Sequence, residues 1–594
     1  MTQETKAVGV GARRRPRYRL ETRALSYVLP SRGSLFPQLT GRKGGGRLLL
    51  RGVTCEARAG ELVAIVGPSG AGKTTLLSVL AGSADPARVV AGEVLVNGRR
   101  MDAARFRRVS GYVPQDDALF PALTVEETLL YSARLRLRLR SASSSSGCAA
   151  RARELMADLG LRHVASSRVA SVSGGERRRV SIGADLVHDP AVLLLDEPTS
   201  GLDSGSALHI VKMLKDMAAN SGKTVVLTIH QPGFRILELL DRVVLLADGA
   251  VRHHGPLALL DARLAASGHA IPPHVNVLEY AMEAIDALLI TTRQDDSNDA
   301  TPVATSSARR AVSYANPPSS EVRILASRFA KTVLRTPQLF AARMAQSVLA
   351  GLFLGSVFAG AADLQSRLGF FAFTLTYVLT STTEALPVFL HERRVLDRET
   401  SRGAYRVSSY VVASALVYLP IPPRRGDPPL RAAPVYWLAG LAPDPDRFAY
   451  FSLVIWLAML TANSFVACLS ALAPNYIVGN SLVAGLVGCF FLFSGYFVAS
   501  KHIPRYWVFM HYISLFKYPF EALVVNQYGG ARGARECLAD GGGFCVLDGA
   551  GLLRQQGMRE GMRWTNLGVM LGFVVGYRVL CFAFLWFRCH RMRR

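Results

Sequence analysis

The sequence predicts two domains of different fold class, an α/β domain followed by an all-α domain with six transmembrane helices. Short apolar runs that favour strands, such as residues 62–66 and 192–195, alternate with helical stretches as far as residue 286. Long apolar runs follow beyond residue 335. Half of the 594 residues are hydrophobic and 19% are charged, whereas soluble domains have about 25% charged residues. The composition therefore disfavours a purely soluble protein.

The charge and the cysteine content further limit the class of protein. The chain has 69 Lys and Arg residues against 44 Asp and Glu, which gives a formal net charge of +25 and favours anionic partners. Its eight cysteines are too sparse for a disulfide scaffold, and no CxxC pair indicates a zinc site. The first 25 residues are rich in arginine and lack the apolar core of a signal peptide, so we expect the N-terminus in the cytosol.

Changes in polarity divide the chain into four segments. We expect a disordered basic tail over residues 1–24 and the α/β domain over 25–286. A polar linker follows over residues 287–320, and the membrane domain occupies 321–594.

Six apolar segments of the membrane domain are candidate transmembrane helices. They are residues 339–360, 369–390, 407–421, 448–472, 477–499 and 566–587. A bilayer core about 30 Å thick needs about 20 helical residues, and the third segment has only 15. Extending it would bury Arg424, Arg425 and Asp427, each at about 2.5–3.5 kcal/mol near the bilayer centre. The third segment must therefore stop at Pro420.

Basic residues orient these segments. The loop at 391–406 and the C-terminal tail RCHRMRR are basic, and an even number of spans places both on the side of the N-terminus, where positive charge belongs. Residues 426–447 and a long segment at 500–563 then lie outside, although Arg424, Arg425 and Arg431 on that side disagree with the rule.

A phosphate-binding loop follows the first predicted buried strand. Residues 61–77 read ELVAIVGPSGAGKTTLL, an apolar strand, a glycine-rich loop and a helix. Glycines allow the backbone N–H groups to approach a phosphate closely at a helix N-terminus. Lys73 is expected to neutralise the β- and γ-phosphates and the Thr74 hydroxyl to bind Mg²⁺. The predicted nucleotide-binding residues here are Gly67, Pro68, Ser69, Gly70, Ala71, Gly72, Lys73, Thr74 and Thr75.

A second strand ends in two carboxylates. Residues 191–203 read AVLLLDEPTSGLD, in which Asp196 suits the Mg²⁺ position and Glu197 suits a general base for the attacking water. The alternative, a carboxylate pair that only caps a strand, loses weight because a phosphate loop precedes it.

Between these motifs lies VSGGERRRVSIG, and the complete set resembles the ATPase domain of ABC transporters. The resemblance identifies the Walker A motif at 67–74, the Q-loop glutamine at Gln115, the signature motif at 173–176 and the D-loop at 200–203. It implies that Gln115 senses the γ-phosphate and Mg²⁺ and that His230 holds the γ-phosphate and the water. The residues Ser173, Gly174, Gly175, Glu176 and Asp203 are implied to contact the ATP of an opposite subunit. Tyr27 either stacks on adenine or is a core aromatic residue.

One Walker A motif and one signature motif occur in the chain. Because these motifs face different ATP molecules in the family's head-to-tail arrangement, the resemblance implies a dimer with a second half-transporter, identical or different. The ATPase domain comes first, as in the G subfamily (white–brown complex) of half-size exporters of hydrophobic and amphipathic compounds. Six further segments resemble plant members of this subfamily. They are HVNVLEYAMEAID (274–286), SYAN (313–316), LRTPQLFAARM (334–344), YRVSSY (405–410), LFSGYF (492–497) and HYISLFKYPFEALVVNQYG (511–529).

Residues 421–432 depart from that family pattern. The family continues there with an apolar helix, whereas this chain is rich in proline and arginine. A locally misread gene model or a transport-impaired regulatory partner would each explain the difference.

The resemblance also nominates residues of the membrane domain. It implies a substrate cavity on the dimer axis that is lined by Tyr377 and Thr380, beneath an outer valve formed by Tyr496 and Phe497; interhelical packing and an interfacial aromatic belt are the alternatives. The ionisable residues within spans, Glu384 and Arg578, are costly there. They are candidates for coupling closure of the nucleotide site to the substrate cavity, or for a structural hydrogen bond.

Cys537 and Cys545 lie in the outer segment, where an oxidising environment favours a disulfide. The whole is predicted to be an α/β P-loop ABC ATPase domain followed by a six-helix transmembrane domain of the G-subfamily exporter type. Its cofactors are ATP and Mg²⁺, and its setting is the lipid of the plasma membrane, with the ATPase domain in the cytosol. A soluble ABC ATPase acting on ribosomes or DNA is rejected by the apolar spans, so no nucleic-acid partner is expected.

Overall fold

A computed structural model describes residues 17–29, 46–138, 143–267, 269, 275–284, 314–359, 364–418, 435–498, 502–540 and 545–593. They form two compact units. The first unit contains residues up to Pro317 with Glu399–Tyr405 and the residues from His590, and the second contains Pro318–Arg398 and Arg406–Cys589. The predicted order of an α/β domain and then a helical domain is confirmed.

Ten strands lie in the described part of the first unit. They are β1 (Leu20–Leu29), β2 (Arg47–Ala57), β3 (Leu62–Val66), β4 (Val89–Val96), β5 (Arg99–Arg100), β6 (Ser110–Val113), β7 (Val192–Leu195), β8 (Thr224–Thr228), β9 (Arg242–Ala247) and β10 (Ala250–Gly255). One antiparallel sheet has the order β2-β1-β4-β5. The other has the order β10-β9-β3-β8-β7-β6 and is parallel except for β10.

Helices cover the mixed sheet. They are α1 (Lys73–Leu80), α2 (Ala103–Val109), α3 (Val125–Arg136), α4 (Ser143–Asp158), α5 (Gly174–Leu186), α6 (Ser204–Ser221), α7 (Phe234–Leu237), α8 (Leu257–Ala266) and α9 (Val277–Glu283). Strand β3 is buried on both faces, as is usual in a covered parallel sheet. Leu62 and Ala64 face one apolar core while Val63 and Ile65 face the other.

Two predicted boundaries of the first domain are wrong. Strand β1 begins at Leu20, inside the predicted tail 1–24, because Leu20 and Thr22 alternate inward with Leu25 and Tyr27. At the other end, Asn316 lies in the predicted linker but is buried, and its amide donates to the carbonyl oxygens of Arg134 and Leu135. The rest of the linker prediction falls largely on residues 285–313, outside the described residues.

The second unit is mainly helical. Its helices are α10 (Pro318–Leu334), α11 (Pro337–Val357), α12 (Leu364–Ser381), α13 (Leu386–Ser401), α14 (Val407–Tyr418), α15 (Pro445–Leu472), α16 (Tyr476–Leu492), α17 (Val508–Ile513), α18 (Lys517–Tyr528), α19 (Gly530–Gly533), α20 (Gly549–Gln555) and α21 (Met562–Arg593). Strands β11 (Cys537–Asp540) and β12 (Cys545–Asp548) form a hairpin.

In the described part of the chain, two helices are long and apolar enough to cross a membrane. They are Pro445–Leu472 and Met562–His590, whereas Val348–Val357, Val407–Tyr418 and Tyr476–Leu492 are shorter apolar helices. The span predicted at 369–390 is not one continuous α-helix, because a 3₁₀ turn at Thr382–Ala385 separates α12 from α13. The count of six spans stays a prediction, and residues 421–432 lie outside the described residues.

The segment predicted to lie outside, 500–563, contains part of the unit's apolar core. Almost all of α18 is buried, and it packs with α15 and α12. Phe516, Phe520 and Tyr528 are among its buried aromatic residues. This segment is therefore a packed part of the second unit over 516–528.

Candidate nucleotide site

The predicted nucleotide motifs meet at one edge of the mixed sheet. The loop that begins at Gly67 follows β3, Asp196 and Glu197 follow β7, His230 follows β8, and Gln115 follows β6. These four strands are parallel neighbours, in the order β3-β8-β7-β6. Because the carboxyl ends of parallel strands share an edge, four segments that are distant in sequence become one site.

The phosphate loop at 67–74 has a backbone that only glycine tolerates at its start. Gly67 has φ +158°, and a Cβ atom there would lie 2.0 Å from the carbonyl oxygen of Leu246. The Lys73 Nζ donates to the carbonyl oxygens of Gly67 at 2.7 Å and Pro68 at 3.0 Å. Burial lowers the pKa of Lys73, and nearby Asp196 and Glu197 oppose that shift. The ammonium group is therefore held at the loop, where the N-terminus of α1 also favours an anion.

Oxygen atoms suited to a magnesium ion lie beside this loop. The Thr74 hydroxyl donates to Asp196 Oδ1 at 3.1 Å, and Asp196 is only 2% exposed. The buried Thr228 hydroxyl donates to the same oxygen at 2.7 Å and accepts the N–H of Glu197 at 2.8 Å. Hydroxyl and carboxylate oxygens are ligands that Mg²⁺ prefers, so Thr74 and Asp196 fit this ion. Thr228, which stands two residues before His230, was not predicted from the sequence.

Glu197 and His230, the residues expected to act on the attacking water, each have a hydrogen-bond partner. Gln115 Nε2 donates to Glu197 Oε2 at 2.8 Å. The hydroxyl of Ser69 and Nε2 of His230 lie 2.8 Å apart. Glu197 has φ +42°, a left-handed conformation that is strained for a residue with a side chain. Ser69, Gln115 and His230 are exposed, so a nucleotide has free access to the site.

The signature motif at 173–176 caps helix α5. The Ser173 hydroxyl accepts the N–H of Glu176 at 3.3 Å, and Glu176 Oε2 accepts the N–H of Ser173 at 2.8 Å. This capping box holds the exposed Ser173 and Gly174 at a helix N-terminus. The Ser173 N–H lowers the pKa of Glu176, and the Ser206 N–H lowers the pKa of Asp203, which caps α6.

Tyr27 is a core residue, and the adenine-stacking prediction for it is wrong. Its side chain is 4% exposed and lies in the apolar core with Leu25 and Leu50. Along β1 the side chain of Tyr27 is buried, as is that of Leu25 two residues earlier, so Tyr27 does not present a surface for a base.

The predicted cavity residues lie on α12 and after α16. Tyr377 packs partly buried against the apolar core, and Thr380 is exposed, donating to Thr376 O at 2.7 Å. The rings of Tyr496 and Phe497 are 4.8 Å apart, edge to face, and Phe497 is 60% exposed.

The two ionisable residues nominated for coupling lie in different surroundings. Glu384 is exposed in the 3₁₀ turn between α12 and α13. Arg578 donates to the hydroxyls of Ser464 at 3.3 Å and Ser414 at 3.4 Å. The buried carboxylate of Glu392 accepts the Tyr418 hydroxyl at 2.7 Å. Glu392 was not predicted as a functional residue, because residue 392 was assigned to a loop.

Cys537 and Cys545 form a disulfide across the β11–β12 hairpin, with their Cα atoms 5.6 Å apart. The bridge is the pairing expected from the sequence. It closes a short loop that contains residues 541–544, which lie outside the described residues.

Comparisons with known proteins agree with this arrangement. A family model described as ABC transporter matches residues 50–200, and one described as ABC-2 type transporter matches residues 320–528. ABC transporter G family member 5 of Arabidopsis thaliana is 46% identical, over 91% of this chain and 89% of its own length. Members 8 and 4 of the same family in Arabidopsis thaliana are 43% and 42% identical, each over 97% of this chain and over 98% and 100% of their own lengths.

Proposed function

The chain belongs to the G family of ABC transporters, and from that premise we propose that it exports a hydrophobic or amphipathic compound as one half of a dimer. As an ABC transporter it is an integral membrane protein that binds ATP and couples ATP hydrolysis to movement across a membrane. The observation that carries the proposal is the cluster of Lys73, Gln115, Asp196 and Glu197 at one sheet edge.

Each residue of that cluster has a chemical task. The N–H groups of the phosphate loop and the Lys73 ammonium bind the β- and γ-phosphates. Thr74, Asp196 and Gln115 would hold Mg²⁺, which when bound neutralises phosphate charge. Glu197 accepts a proton from the water that attacks the γ-phosphate, while Gln115 orients the Glu197 carboxylate through the 2.8 Å hydrogen bond.

The dimer follows from incomplete sites. One chain supplies one phosphate loop and one signature motif. We propose that Ser173, Gly174 and Gly175 of one chain complete the ATP site of its partner, with Asp203 and Glu176 as capping residues beneath that surface. The partner is a second copy or a related half-transporter.

The transported compound is proposed from the side chains of the membrane domain. Aromatic rings at Tyr377, Tyr496 and Phe497 with a hydroxyl at Thr380 suit an apolar molecule that carries a polar group. The plasma membrane is the proposed location. Residues 421–432 favour a second candidate function, a partner that binds ATP but transports poorly, because Arg424, Arg425 and Asp427 oppose a complete third span.

Reconstituted vesicles test the proposal directly. The native chain is compared with Glu197→Gln and, as a matched control, with Glu238→Gln, an exposed residue at the end of α7. Loss of the general base is expected to lower ATP hydrolysis and the export of candidate lipids at least about 100-fold while ATP binding persists. Hydrolysis by Glu197→Gln at the native rate would refute the assignment, and hydrolysis without export of any lipid by the native chain would favour the second candidate.

A further inference from the structure

A buried arginine links three parts of the nucleotide site. Arg178 lies in α5, five residues after the helix cap Ser173, and is 4% exposed. Its Nη1 donates to the carbonyl oxygens of Pro114 at 2.8 Å and Gln115 at 3.1 Å, and to Asp117 Oδ1 at 2.7 Å. Its Nη2 donates to the carbonyl oxygen of Asp196 at 2.8 Å. One guanidinium group thus connects the Q-loop, here residues 114–117, with the end of β7.

The bond to Asp196 fixes the peptide that sets the direction of Glu197. The carbonyl oxygen of Asp196 and the N–H of Glu197 belong to the same peptide group. Arg178 binds the oxygen at 2.8 Å, and the Thr228 hydroxyl accepts the N–H at 2.8 Å. With both sides of this peptide held, Glu197 keeps its left-handed φ of +42°, a conformation that persists only where the surroundings enforce it.

The other bonds fix the residue that faces Glu197. Gln115 donates its side-chain amide to Glu197, and its own carbonyl oxygen accepts from Arg178. Both partners of the Gln115–Glu197 pair are therefore held by the same guanidinium. The Asp117 carboxylate compensates the buried charge, so the contacts are charge-assisted. A planar guanidinium can donate to the Q-loop oxygens and to the Asp196 carbonyl oxygen at once, which the single nitrogen of lysine does less well.

We propose that Arg178 is a positioning residue for ATP hydrolysis, holding Glu197 and Gln115 in register through the Asp196 and Q-loop carbonyl groups. Arg178 itself does not contact the nucleotide in this role. The inference rests on the proposed function, because it takes Glu197 as the residue that activates water. It was not predicted from the sequence, where Arg178 is one of three consecutive arginines, and only Arg178 of the three is buried.

The test uses the full-length chain reconstituted in lipid nanodiscs. Arg178→Met keeps an unbranched apolar side chain that reaches about as far as Nε and removes every donor, Arg178→Lys keeps the charge, and Arg177→Met changes the exposed neighbour as the control. Turnover is divided by the number of sites that bind a non-hydrolysable ATP analogue, so that loss of folded protein does not count as loss of catalysis. Glu197→Gln is measured in the same preparation.

We expect kcat per site to fall at least tenfold in Arg178→Met while the KM for ATP stays within threefold. Arg178→Lys should recover at least threefold over Arg178→Met, and Arg177→Met should match the native chain. A per-site kcat within twofold of native for Arg178→Met, a change confined to KM, or no recovery with lysine would overturn the proposal. If Arg178→Met does not fold, Arg178→Lys decides the question. A kcat reduced about threefold at constant KM supports the proposal, and an unchanged kcat overturns it.

The control at Glu197 separates the two claims. If Glu197→Gln is inactive but Arg178→Met is normal, only the positioning role fails. If Glu197→Gln hydrolyses ATP at the native rate, the proposed function fails first.

Discussion

Replacing Thr228 by valine removes a buried hydroxyl group and keeps the shape of the side chain, so no cavity forms. Thr228 is 0% exposed at the end of β8. Its hydroxyl donates to the Asp196 carboxylate at 2.7 Å and accepts the Glu197 N–H at 2.8 Å. The first bond involves a charged group and is worth about 1.5–3 kcal/mol, and the unpaired N–H costs about 1–3 kcal/mol. The expected total is about 4 kcal/mol of local stability.

Thr224→Val is the matched control on the same strand. Thr224 is also 0% exposed, but its hydroxyl makes one neutral bond, to the carbonyl oxygen of Tyr18 at 2.6 Å. That bond is worth about 1 kcal/mol. The difference in local stability between the two variants therefore measures the hydrogen bonds that Thr228 makes to the Asp196 carboxylate and to the Glu197 N–H.

Hydrogen exchange followed by mass spectrometry measures both costs in the full-length chain without nucleotide. Since 1.4 kcal/mol corresponds to about tenfold, amides of β7 and of the Glu197 turn should exchange about 1000-fold faster in Thr228→Val. In Thr224→Val the factor should be about fivefold. ATP turnover should fall with the first variant only. Equal acceleration in the two variants, or native exchange in Thr228→Val, would show that the hydroxyl does not hold this peptide.

Three further outcomes are expected. Gly67→Ala should lower the melting temperature sharply by calorimetry, because the new methyl carbon would lie 2.0 Å from a backbone oxygen. Gly70→Ala meets no atom within 4 Å and should cost only the strain of φ +83°, about 1 kcal/mol. Similar losses of stability in the two variants would contradict the loop geometry. In Cys537→Ser on intact cells, an impermeant maleimide should label Cys545, with the double serine variant giving the background. Labelling that needs permeabilised cells would contradict the outer location. If Glu384 couples ATP hydrolysis to transport, Glu384→Gln should lower export per ATP hydrolysed, whereas unchanged hydrolysis and export would dispose of a coupling role for this residue.

The nucleotide site was largely predictable because each motif is local in sequence. The glycine-rich loop and the carboxylates Asp196 and Glu197 each follow a short apolar run, and parallel pairing brings the strand ends together. The contacts of Thr228 and Arg178 were not predictable, since they depend on which strand neighbours which. Of the two interpretations of Tyr27, the core residue is the one that its period-2 spacing with Leu25 favours.

The second unit was less predictable from apolar runs alone. Hydropathy shows the length and polarity of an apolar segment but not where its helix is interrupted. The residues around the 3₁₀ turn at Thr382–Ala385 are apolar or small, as they would be in a continuous helix, so the sequence does not reveal the turn. The segment 500–563 combines charged and apolar residues, so its composition hid the buried helix α18. Asn316 was assigned to the linker because polar residues precede it. In the structure its buried side-chain amide donates to the carbonyl oxygen of Arg134, so this residue belongs to the folded first unit.

Whether one chain alone hydrolyses ATP tests the central claim most directly. Nanodiscs are sorted by mass into those that hold one chain and those that hold two, and ATP turnover per chain is measured in each fraction. If each site borrows a signature motif from its partner, the one-chain fraction should have at most a few per cent of the two-chain rate. Equal turnover per chain in the two fractions would contradict the shared sites.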